Sequence, residues 1–105
     1  MEKTQKEKYA QEVQEIEKFL IKKGFELDRI TTLLIYGPEN AIVYHKNVGK
    51  TCRFFLSCCI NTKFDENEEH HCPKVEIGFK ENNINIMKEL NETFYGLNEL
   101  KAFFI

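Results

Sequence analysis

Hydrophobic residues recur at helical spacing near the start of the chain. Four large side chains lie three or four residues apart and form one stripe of an α-helix: Tyr9, Val13, Ile16 and Leu20. Gly24 follows at the position where a left-handed residue commonly ends a helix, which places Phe25 to contact Leu20 in a Schellman arrangement. The pattern predicts a helix over residues 5–23 whose stripe faces the core.

The next segment has two interpretations. Residues 29–36 are rich in β-branched and aromatic residues, and residues 37–40, Gly-Pro-Glu-Asn, are typical of a turn before a second strand at 41–46. A rival interpretation makes Asp28 an N-cap and 29–36 a short helix, because the aliphatic residues there also have helical spacing. The β-branched content favours the strand, so we expect a hairpin here.

Alternation of apolar and polar residues marks the rest of the sheet. In residues 51–64 the even positions from 52 to 60 are apolar and form one face: Cys52, Phe54, Leu56, Cys58 and Ile60. After an acidic loop at 65–69, Val75, Ile77 and Phe79 alternate in another strand. Ile84 and Ile86 indicate a short fifth strand, and the apolar spacing within 97–105 predicts a terminal helix.

These elements predict an α+β fold. Strands joined by short turns pair antiparallel, because a parallel pair needs a long crossover. We therefore expect an N-terminal helix, an antiparallel sheet of four to five strands and a short C-terminal helix, arranged in two layers. A length of 105 residues fits one globular domain over 1–105, with residues 1–5 frayed.

Composition and charge narrow the classes of function. The chain has a net charge of −2, and among its fifteen basic residues only Arg29 and Arg53 are arginine, which argues against nucleic-acid binding. No run approaches the ~18 apolar residues of a membrane span. The N-terminus, MEKTQKEK, lacks the apolar region of a secretory signal, so we expect a cytoplasmic protein with reduced cysteines.

Most of the cysteine and histidine residues lie in one window. It holds six of the seven: Cys52, Cys58, Cys59, His70, His71 and Cys72. Adjacent side chains of a strand point to opposite faces, so Cys58 and Cys59 cannot both bind one ion. Cys52 and Cys58 share the apolar face and are predicted to be core residues.

A site built from Cys59, His70, His71 and Cys72 depends on one hairpin register. The even-numbered residues of the first strand and the odd-numbered residues of the second must face the same core. Each even residue therefore pairs with an odd one, and the two residue numbers of any pair have an odd sum. A sum of 131 places Cys59 opposite Cys72, whereas sums of 133 or 135 separate them. A metal- or redox-dependent regulator is thus one alternative function. A thiol enzyme using Cys59 with His70 or His71 as base is a second.

The preferred hypothesis is a protein-binding module without enzymatic activity or cofactor, such as an inhibitor, an immunity protein or an adaptor. Arg53 and Phe55 lie on the polar face of the predicted sheet, and both are residue types that contribute strongly to protein interfaces. We expect the partner to be another protein, with a homodimer as an open alternative. The bias towards Lys, Asn and Ile suits an AT-rich genome, such as that of a bacterium, a phage or a mobile element.

Overall fold

A computed structural model describes residues 4–34, 37, 39–48, 54–67, 71–81 and 84–104. Its first element is helix α1, Gln5–Lys22, whose N-cap Thr4 accepts a hydrogen bond from the Glu7 N–H at 3.2 Å. The predicted stripe is the buried face of this helix, because each of its four members is less than 8% exposed. The predicted helix over 5–23 is confirmed. Residues 1–3 of the segment expected to fray lie outside the described residues.

The end of α1 has the predicted Schellman geometry. Gly24 adopts φ 95°, a conformation that is open to glycine and costly for other residues. The Phe25 N–H donates to the Leu20 carbonyl at 2.9 Å, and the Gly24 N–H donates to the Ile21 carbonyl at 3.0 Å. Phe25 is buried in the same cluster as Leu20, so the turn joins the helix to the core.

Five strands form one antiparallel sheet in the order in which they occur along the chain. They are β1 (Glu26–Leu27), β2 (Ala41–Val48), β3 (Phe54–Asn61), β4 (Lys74–Glu81) and β5 (Ile84–Tyr95). A second helix, α2 (Arg29–Leu34), lies between β1 and β2, and α3 (Leu97–Phe103) ends the fold. The predicted α+β class with helices at both ends of an antiparallel sheet is confirmed. The fifth strand is longer than the short strand that Ile84 and Ile86 indicated.

The core lies between one face of the sheet and helices α1 and α3. Cys58 pairs with Ile77 and Ile60 pairs with Val75, and these side chains point towards the helices. Leu100 of α3 is fully buried among them. Phe104 closes the layer, since its ring makes edge contacts with Phe19 and Phe25 at centroid distances of 5.8 and 5.9 Å.

The strand predicted over 29–36 is wrong for residues 29–34, because these form helix α2, and residues 35–36 lie outside the described residues. Asp28 acts as its N-cap: Oδ1 accepts from the Thr31 N–H at 2.9 Å and Oδ2 accepts from the Thr31 hydroxyl at 2.7 Å. The hairpin partner of β2 is instead β1, where Glu26 pairs with His45 and Leu27 with Tyr44. The N-cap thus outweighs the β-propensity of the residues that follow it.

None of the described helices is long and apolar enough to cross a membrane.

Candidate functional site

The cysteine and histidine window is divided by the sheet, as alternation predicted. Cys58 is completely buried among the core residues, and Cys59 lies on the opposite face of β3. Cys52 and His70 lie outside the described residues. His71 is exposed and contacts the Phe64 ring at a centroid distance of 6.5 Å.

The β3–β4 register separates Cys59 from Cys72. Paired residues have numbers that sum to 135, so Cys59 lies opposite Glu76, and Cys72 precedes the strand. Proline has no N–H to donate, and a sum of 131 would have placed Pro73 inside a central strand opposite Cys58. Pro73 instead lies just before β4, where its carbonyl accepts from the Gly96 N–H at 2.9 Å. Within the described part of the chain, no three His, Cys, Asp or Glu residues are grouped to hold a metal ion.

The surroundings of two cysteines, Cys58 and Cys72, disfavour the thiolate form. Burial raises the pKa of Cys58 to about 12. The pKa of Cys72 is also raised, first by partial burial of its thiol and then by the charge and hydrogen bond of the Glu12 carboxylate. A nucleophilic cysteine needs electropositive surroundings that lower its pKa. The thiol-enzyme alternative uses Cys59 and stays a hypothesis, because the pKa values of Cys58 and Cys72 do not test it.

The sheet face opposite the helices contains Phe55, one of the two residues predicted to contact a partner. Phe55 is half-buried, and its ring meets the His45 ring edge-on at a centroid distance of 6.4 Å. His45 is itself 3.8 Å from carboxylate oxygens of both Glu26 and Asp28. Arg53, the other predicted contact residue, lies outside the described residues. Phe55 is thus part of a side-chain cluster on this face.

A small polar cleft lies where α1, the end of β3 and the start of β4 meet. Its volume is about 90 Å³, and it is lined by Tyr9, Asn61, Lys63, Asp65, Cys72, Lys74 and Tyr95. The Tyr9 hydroxyl donates to the Asn61 carbonyl at 2.7 Å, and the Lys74 ammonium pairs with Glu76 at 3.1 Å. Pockets for small organic ligands usually have volumes of ~300 Å³ or more. This cleft is too small for such a ligand.

Helix α2 covers the edge of the sheet next to β1. The Asp28 N–H donates to the Val43 carbonyl at 2.8 Å, and the Val43 N–H donates to the Thr32 hydroxyl oxygen at 2.8 Å. Val43 is 1% exposed and Thr32 is 6% exposed. The segment from Asp28 to Thr32 therefore supplies hydrogen-bond partners to the β2 backbone just beyond the end of the two-residue strand β1. It thereby protects a sheet edge that could otherwise pair with another chain.

The outward side of α2 carries aliphatic side chains that the fold leaves in solvent. Ile30 is 73% exposed, Leu33 is 67% exposed and Leu34 is 79% exposed. We call these three residues the α2 stripe. Five of the six strongly exposed large hydrophobic residues in the described part of the chain lie between residues 21 and 34: Ile21, Leu27, Ile30, Leu33 and Leu34. Single exposed aliphatic residues are common, but three on one face of a short helix are typical of an interaction surface.

Comparison with protein-family models, with curated proteins and with solved structures gives no match to this chain.

Sequence reasoning missed the α2 stripe because it assigned these residues to a strand of a hairpin. The signal was present in the helical alternative. Asp28 followed by Thr31 marks an N-cap, and Ile30, Leu33 and Leu34 occupy positions i, i+3 and i+4 of one helix face. Their exposure could not be read from that spacing, because the same spacing usually indicates a buried face.

Proposed function

We propose that this chain is a small protein-binding module and that the α2 stripe is its contact surface. The observation that carries the proposal is the exposure of three large aliphatic side chains on one helix, at 67–79%. The predicted class of function is therefore retained, and its contact surface is moved from the Arg53 and Phe55 face to α2. Whether the module acts as an inhibitor, an immunity protein or an adaptor depends on what it binds.

The energetics of burial support a contact at this surface. Transferring a fully exposed Leu or Ile side chain from water to an apolar environment contributes about 1.5–3 kcal/mol. Because the three side chains of the α2 stripe are 67–79% exposed, burying what remains of them offers about 3–7 kcal/mol in total. Association costs at least about 4 kcal/mol in lost translational and rotational freedom. A partner that supplies a comparable apolar surface of its own would therefore give net binding. A purely polar partner surface would not.

Site-specific photo-crosslinking tests the proposal in the cell that makes the protein. A benzophenone amino acid replaces Leu33 in one variant and replaces Gln14, an exposed residue of α1, in the control. We expect the position-33 variant to form an adduct with another protein and the position-14 variant to form none. Absence of an adduct at position 33, or the same adducts from both positions, would refute the proposal.

A third variant separates the two candidate surfaces. It carries the same photoreactive residue at position 55, on the sheet face that the sequence favoured. An adduct from position 55 without one from position 33 would assign the contact to the sheet face, and the α2 stripe would no longer be the contact surface. We expect the reverse pattern, because Phe55 is half-buried and contacts His45, whereas Leu33 points into solvent.

A further inference from the structure

We draw no further inference here: the strongest candidate, the α2 stripe on the outward face of helix α2, belongs to the contact surface already proposed, and nothing in the structure shows what covers it.

Discussion

The substitution Thr32→Val tests whether a single hydroxyl attaches α2 to the sheet. Valine keeps the shape of threonine but removes the oxygen that accepts from the Val43 N–H at 2.8 Å. Val43 is 1% exposed, so water cannot readily replace the lost acceptor. A buried donor left unsatisfied costs about 1–3 kcal/mol. We therefore expect Thr32→Val to lower the free energy of unfolding by about 2 kcal/mol.

Urea denaturation followed by circular dichroism measures this change. For a domain of this size, a loss of about 2 kcal/mol corresponds to a fall in the urea midpoint of roughly 1 M and in Tm of roughly 8–16 °C. Thr93→Val is the matched control, because Thr93 is exposed on β5, and we expect a change of about 0.5 kcal/mol or less. If Thr32→Val and Thr93→Val behaved alike, the Thr32 hydroxyl would not be what attaches α2 to β2.

Three further predictions concern the core, the turns and the buried thiol. Leu20→Ala should cost about 2–5 kcal/mol in urea unfolding, whereas Ile21→Ala, at the next and exposed position, should cost about 0.5 kcal/mol or less. Gly96→Ala should destabilise more than Gly37→Ala by at least about 1 kcal/mol, because both have positive φ but only at Gly96 does an added methyl meet another side chain, at 3.2 Å. Folding raises the pKa of Cys58 from 9.0 to about 12. Above pH 9 the thiol of the unfolded chain loses its proton while the buried thiol keeps it, so the free energy of unfolding falls as the pH rises from 9 towards 12. The urea midpoint of the wild type should fall over this range, and that of Cys58→Ala, although lower at pH 7, should fall less.

The elements that the sequence predicted well are those whose signals are local and agree with one another. In α1 the repeating apolar stripe ends at Gly24, so the pattern and the boundary residue agree. In β3 the alternation of the even-numbered residues identified the face that packs in the core. For residues 29–34 two local signals disagreed, since the β-branched content favoured a strand and Asp28 favoured a helix. The Asp28 cap and the hydrogen bond from the Val43 N–H to the Thr32 hydroxyl both stabilise the helix, so a local cap and a tertiary contact together outweigh the β-propensity.

The β3–β4 register could have been predicted more sharply than alternation alone allowed. Three odd sums satisfied the matching of core faces, and two of them would have placed Pro73 inside the ladder. Only the sum of 135 leaves it before Lys74, where the missing N–H costs nothing. The same residue therefore determines both where β4 begins and why Cys59 lies opposite Glu76. The position of Cys72 beside Gly96 and Glu12 depends on the packing of α1 against α3 and has no such local signal.

The α2 stripe contributes little to the stability of the chain that carries it. Helix α2 is attached through Thr32 and Asp28, by hydrogen bonds to the backbone of β2, and Thr32 is its buried residue. Side chains that are 67–79% exposed have lost only a small part of their contact with water, so most of their possible burial energy is unused in the folded monomer. Replacing them with polar residues should leave the fold intact. Attachment of α2 and its proposed binding role thus involve different residues, so mutations can separate loss of binding from loss of structure.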